Sequence, residues 1–191
     1  MLKSKVTLEQ DLTPLINLTL YAICMVIVAV IVSAVLKHKV AENNSNILRD
    51  DYTAQYNIKQ LECLAINIYR EAGYEPFEGK VGVAQVTMNR VAHSEFPSDV
   101  CQVVYQKNIF YQKVVCQFSW YCDSTHRNRP INPVAYNESY EVAKKVYLEN
   151  FRLSSLNDAL YYHADYVNPR WKLERITQIG AHIFYKEKTD I

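Results

Sequence analysis

The dominant pattern along the chain is an unbroken apolar run from Leu15 to Leu36, LINLTLYAICMVIVAVIVSAVL. It carries no charged residue, and its polar Asn17 and Thr19 lie near one end. About 20 apolar residues is the length that crosses a bilayer as a helix, whereas a surface helix of a soluble domain keeps a polar face. The run therefore predicts a transmembrane helix over 15–36. The apolar stretch of a cleaved signal peptide is shorter, about 7–15 residues, and ends in small residues. This run is long, rich in Ile and Val, and followed by Lys37, His38 and Lys39, so a retained anchor is the expectation. Lys3 and Lys5 on one side and Lys37 and Lys39 on the other nearly balance the charge asymmetry that orients such helices. Residues 1–14 read as a flank. Residues 37–51, polar and asparagine-rich from Ala41 to Asp51, read as a linker to a domain over 52–191.

Beyond the linker the period changes. Leu61, Leu64, Ala65, Ile68 and Ala72 recur at helical spacing and make one apolar seam. Glu71 stands three residues after Ile68 and continues that seam, while Glu62 and Arg70 fall off it and Gly73 offers a stop. A carboxyl on an apolar seam is desolvated, which raises its pKa and suits it to general-acid work near neutral pH. A boundary glutamate paired with an arginine has the same spacing. A second helix is expected from Glu78 to about His93, bracketed by Pro76 and Pro97, with Val81, Ala84, Met88 and Val91 inward. Gln85 and Asn89, four apart, share a face that turns either to a cleft or to solvent. Asn132-Pro133 can cap and open a third helix that carries Tyr140, Ala143 and Val146 to about Asn150. Ala159–His163 and Ile179–Tyr185 are β-prone and predict a small hairpin sheet over the cleft. The fold class is mainly α (α+β), one helical domain with a small β-hairpin, preceded by the transmembrane helix.

Composition narrows the function classes. The 191 residues carry a net charge of +1 without a long charge run, which argues against a nucleic-acid binder with a clustered basic face and leaves a neutral polysaccharide open. Tyrosine is abundant at 15 residues and glycine scarce at 4. A tyrosine ring can stack on a pyranose while its hydroxyl bonds to it, and it can equally pack a small core. Cys24 lies in the apolar run. Cys101, Cys116 and Cys122 fall in one loop-rich stretch and are candidates for at least one disulfide in an exported domain, whereas Cys63, on the helix pattern, reads as a buried free thiol. No pair has the CxxC spacing of a zinc site. His38, His93, His126, His163 and His182 are dispersed and form no HExxH, so no metal or other cofactor is expected.

Five stretches in order resemble the SleB-type cell-wall hydrolases, which include the spore-cortex lytic enzymes and related bacterial and phage proteins. They are EAGYEPFEGKVGVAQVTMNR, VVYQ, CQFSW with a nearby CD, ALYYHADYVNPRW and IGAHIFY, spanning about Leu61 to Tyr185. The resemblance implies a lysozyme-like, mainly helical fold. It also implies cleavage of peptidoglycan glycan strands between N-acetylmuramic acid and N-acetylglucosamine, often by lytic transglycosylation, with the domain outside the cytoplasm on the periplasmic or cell-wall side. The family's catalytic glutamate opens a Glu-Ala-Arg-Gly-Glu motif. That position is Glu71 here, followed by Ala72, Gly73, Tyr74 and Glu75, so Gly-Tyr replaces Arg-Gly. Glu75 matches the second acid and, preceding Pro76, is biased to an extended conformation that shapes the loop or the cleft wall. Gln117, Phe118 and Ser119 match a run that lines the cleft. Tyr162 and His163 match a Tyr-His pair, His163 either touching sugar or holding a loop, and His182 and Tyr185 are expected to pack. A transglycosylase needs one acid. A retaining hydrolase needs a second carboxyl about 5 Å away and an inverting one at roughly 6.5–9.5 Å, for which Glu75, Glu78 and Asp123 are the candidates. Two rivals differ in class: a zinc peptidoglycan amidase, which needs clustered ligands, and a non-catalytic peptidoglycan-binding module.

Overall fold

The computed structural model describes residues 13–188, so Lys3, Lys5 and most of the N-terminal flank lie outside the described residues. Helix α1 runs from Thr13 to Ala72. The chain divides into two compact units between Ala54 and Gln55. In the first unit the apolar side chains from Leu15 to Leu36 are all exposed. Among the described residues α1 is the one helix long and apolar enough to cross a membrane. The segment expected as a linker is helical, as part of α1. Its asparagines are weak helix formers, but residues 37–51 contain neither glycine nor proline to break the backbone ladder. Local pairs such as Lys39 with Glu42 and Arg49 with Asn46 lie on that helix.

In the second unit the seam closes onto a core. Leu61, Leu64, Ala65, Ile68 and Ala72 are buried, together with Val81 and Ala84 of α2 (Phe77–Ala92), Val103 and Val104 of α3 (Val100–Val104), and Val142, Ala143 and Val146 of α6 (Pro133–Tyr147). Fully burying such a side chain is worth about 1.5–3 kcal/mol. Helix α2 is apolar on a second side as well, where Val86 meets Leu156, Ala159 and Phe184. Gly82 allows that approach, because a Cβ there would stand 2.6 Å from the Phe184 ring. Asn132 caps α6 by accepting from the amides of Val134 and Ala135, as its sequence signal implied.

Two short helices, α4 (Ser119–Cys122) and α5 (Ser124–Arg127), follow an antiparallel hairpin of β1 (Lys107–Phe110) and β2 (Lys113–Cys116). The expected two-segment hairpin near the C-terminus is a three-stranded antiparallel sheet, β3 (Tyr161–Ala164), β4 (Glu174–Ile179) and β5 (His182–Lys186), in the order β3-β5-β4. The stretch Ile179–Tyr185 straddles the β4–β5 turn, where Gly180 takes a φ of 56° that disfavours any side chain. Strand β4 escaped the pattern because ERITQI is half exposed and too polar to read as a buried strand. The pairing Tyr162 with Phe184 and Ala164 with His182 sets one face of the sheet. The opposite face carries Tyr161, His163 and Tyr185, with Trp171 edge-on against all three.

Two disulfides tie the unit together. Cys63 is not a free thiol: it bonds Cys101, because the start of α3 is held against α1 with the two Cα atoms 5.2 Å apart. Asp99, the N-cap of α3, accepts from Gln60 Nε2, and the Cys101 amide donates to Gln60 Oε1, which fixes that approach. Cys116 bonds Cys122, closing a short loop that contains Gln117, Phe118 and Ser119.

Candidate active site

Glu71 is the penultimate residue of α1, and the helix stops at Ala72 with the Gly73 amide donating back to Tyr69 O. Its carboxyl is half-buried, and the Tyr162 hydroxyl from β3 donates to Oε2 at 3.1 Å. Burial pushes the Glu71 carboxyl above the usual carboxylate range; the Tyr162 hydrogen bond and the positive field of Arg90 offset this in part. Burial, with the neighbouring Glu71 charge, holds the Tyr162 phenol well above its ordinary value, so it stays a proton donor.

Arg90 of α2 is buried behind this pair. Its Nε donates to Leu160 O at 2.8 Å, and its guanidinium lies 5.2 Å from the Phe118 ring centre and 5.5 Å from that of Phe96. With the Gln117 amide oriented so that its oxygen faces the guanidinium, that oxygen accepts from both terminal nitrogens at 3.2 Å.

Glu71 lies where two hollows meet. A cleft of about 430 Å³ on one side is lined by Arg90, Gln117, Phe118, Ser119, Tyr162 and His163. A smaller hollow of about 300 Å³ on the other includes Tyr69, Tyr74, Glu75 and Arg129. Arg70, Glu71, Trp120 and His126 line both. The cleft thus gathers five of the sequence-derived candidates around Glu71.

Gln85 and Asn89 do share a helix face, but it turns to the 153–159 segment and not to this cleft. Gln85 is fully buried: its Oε1 accepts from Leu153 N at 2.7 Å, and its Nε2 donates to Leu153 O at 3.1 Å. Asn89 Nδ2 donates to Leu156 O and Ala159 O, both at 2.8 Å. The two amides fasten the 153–159 segment, which holds one short 3-10 turn (Ser154–Leu156), to α2: they add a second donor to Leu153 O and Leu156 O and give Ala159 O and Leu153 N their partners. A separate hollow of about 380 Å³ beside Asn89 shares no residue with the cleft.

Glu75 lines the smaller hollow, and its Oε2 accepts from Ala181 N at 3.1 Å, which ties the loop after α1 to the β4–β5 turn. His163 faces Ala164 O through Nδ1 at 2.8 Å and the Tyr185 hydroxyl through Nε2 at 2.9 Å. A carbonyl only accepts, so Nδ1 carries a proton, and in the neutral ring Nε2 accepts from the Tyr185 hydroxyl. His182, expected only to pack, is buried edge-on against Tyr162 and also walls the cleft. Burial lowers its pKa, Glu75 and Asp165 opposing, which favours the neutral ring.

Arg90, Trp120 and His126 were not singled out from sequence. A lone arginine on a helix reads as surface charge, and nothing local marked it as buried. Trp120 is fixed by donating Nε1–H to Asn67 Oδ1 at 2.9 Å, a contact across more than fifty residues of chain. His126 pairs with Asp123 at 2.8 Å, and only the i,i+3 spacing hinted at it. Among the described residues no group of three or more His, Cys, Asp or Glu is placed to hold a metal ion.

The family model described as Cell Wall Hydrolase matches residues 74–185, and Glu71 stands just before that stretch. A spore cortex-lytic enzyme of Bacillus cereus is 30% identical over 135 residues, covering 69% of this chain and 46% of that protein. The spore cortex-lytic enzyme of Oceanobacillus iheyensis is also 30% identical over 135 residues, covering 69% of this chain and 43% of that one. The chain thus spans less than half the length of these relatives. The solved catalytic domain of the Bacillus cereus SleB protein is 27% identical, with a TM-score of 0.49 over 66% of this chain and 89% of that one.

Proposed function

Because the chain belongs to the cell wall hydrolase family, we propose that it cleaves peptidoglycan glycan strands between N-acetylmuramic acid and N-acetylglucosamine, as a lytic transglycosylase with Glu71 as the acid. The observation that carries this reading is the Glu71 carboxyl, half-buried where two hollows meet, raised in pKa and held by Tyr162. A carboxyl that keeps its proton toward neutral pH can deliver it to the glycosidic oxygen as the C1–O bond breaks. The muramic C6 hydroxyl then closes on C1, giving a 1,6-anhydro end. In the minimal scheme its proton returns to the Glu71 carboxylate, and no second carboxyl is needed. In support, Glu71 is the one carboxylate among the described residues lining the larger cleft, and the Glu75 carboxylate is already engaged by Ala181 N. Two hollows that share Glu71 in their linings suit a strand that runs past the acid instead of ending at it.

In the same reading the helix over 15–36 anchors the chain in a membrane, and residues from about 52 form the catalytic domain on the outer side, where the substrate lies. Two disulfides fit that oxidising side. The test is release of soluble glycan fragments from purified sacculi by the full chain in detergent. Sustained release supports the reading, and binding without release overturns it.

Tyr162→Phe probes the acid's environment. It removes the hydroxyl that favours the ionised carboxylate, so the fall of activity with rising pH should move to higher pH. Loss of an aligned donor should also cut turnover by about tenfold, since one hydrogen bond to a charged group is worth about 1.5–3 kcal/mol and only part of that is specific to the transition state. A pH–rate profile that does not move would show that Tyr162 does not act on Glu71.

A further inference from the structure

Three histidines wall the cleft beside Glu71, and they differ in what their nitrogens do. Both ring nitrogens of His163 are engaged, by Ala164 O and the Tyr185 hydroxyl. His182 is buried against Tyr162 and Phe184. His126 is half exposed and is held at Nδ1 alone, 2.8 Å from Asp123 Oδ2. The other oxygen of Asp123 accepts from the amides of Thr125 and His126, so the carboxylate is fixed on both sides. Its hydrogen bonds to His126 and Thr125 hold the Asp123 carboxyl below the usual range, so it is ionised and accepts only. The imidazole must then donate through Nδ1, and in the neutral ring this leaves the Nε2 lone pair directed away from Asp123. Nε2 has no hydrogen-bond partner among the described residues. His126, Glu71 and Trp120 each line both hollows.

We propose that His126, oriented by Asp123, is the second proton-transfer residue of this site: its Nε2 takes the proton of the muramic C6 hydroxyl while Glu71 gives its own to the leaving oxygen. The step balances. The C6 oxygen forms a bond to C1 as the C1–O4 bond breaks, O4 leaves with the Glu71 proton, and the C6 proton rests on the imidazole. The enzyme is left with a Glu71 carboxylate and a His126 imidazolium, and proton exchange with solvent restores both. The gain over the minimal scheme is that donor and acceptor act in one event. His126 would be a catalytic residue, and Asp123 a positioning residue that sets its tautomer. This deepens the glycan-cleaving reading and rests on it.

The test uses the full chain in detergent on purified sacculi, with kcat and KM measured separately. His126→Ala should lower kcat by about 100-fold, within the range of general-base catalysis, with KM little changed. Added imidazole should restore part of that rate. Asp123→Asn keeps an oxygen for the α5 cap but presents N–H to the ring, forcing the opposite tautomer. It should lose a similar factor, and the double variant should be no worse than either single one. A purely structural role for the pair would lower the melting temperature or raise KM without imidazole rescue, and that result overturns the proposal. So does unchanged kcat in His126→Ala, which leaves Glu71 performing both transfers and the glycan-cleaving reading intact. If the unaltered chain releases no glycan, both readings fall.

Discussion

Glu71→Gln is expected to reduce glycan release from sacculi by about 10²–10⁴-fold, the range that positioned proton transfer supplies. The amide keeps the size of the carboxyl and an oxygen to accept the Tyr162 hydroxyl, so the cleft should keep its shape. It lacks the transferable proton. Stability should move the other way. A carboxyl whose folded-state pKa is raised favours its protonated form in the folded chain. As pH climbs from the ordinary glutamate range through that raised value, the unfolded chain ionises first and the folded state loses ground. Removing the ionisable group should therefore leave the second unit as stable or slightly more stable near neutral pH, with the difference vanishing in acid. Glu75→Gln should retain a larger share of activity, because an amide oxygen can still accept from Ala181 N. Near-normal turnover in Glu71→Gln together with a dead Glu75→Gln would mean that the wrong acid has been assigned.

The second large effect is on stability. The Cys63–Cys101 bond closes 38 residues of sequence and joins α1 to α3. Loop-closure entropy for that length gives about 4 kcal/mol at 25 °C. Cys63→Ala with Cys101→Ala should lower the melting temperature of the second unit by roughly 10 °C or more. Cys116–Cys122 spans only 6 residues, so its loss should cost less stability. Its effect should fall on activity instead, since the loop it closes holds Gln117, Phe118 and Ser119 in the cleft wall. Thermal melts of the two alanine pairs compare the bonds directly. Equal melting temperatures for the Cys63/Cys101 pair variant and the unaltered chain would contradict the assignment.

What the sequence made legible was what a single element decides. The seam from Leu61 to Ala72 is buried as its period required, and Glu71 follows it to the helix end because helical geometry carries the side chain there. Asn132-Pro133 opens α6 for the same local reason. What escaped depended on partners distant in the chain. Gln85 and Asn89 gave the right face but not its neighbour, since the backbone groups they satisfy lie in a segment with no pattern of its own. Cys63 found its partner only once the Asp99 cap and Gln60 brought α3 to α1. That the asparagine-rich linker is helical was not legible, because low helix propensity is a cost and not a stop signal. Arg90 looks like surface charge until the folded cleft covers it, and nothing local marks His126 as lining that cleft.

Mass spectrometry of the fragments released from purified sacculi tests the central claim most directly, because the new chain end records both the bond and the chemistry. The full chain should release fragments ending in 1,6-anhydro-N-acetylmuramic acid, and Glu71→Gln, matched for protein amount and melting temperature, should release almost none. Fragments with reducing N-acetylglucosamine ends, fragments cut in the peptide, or equal release by the two proteins would contradict the account.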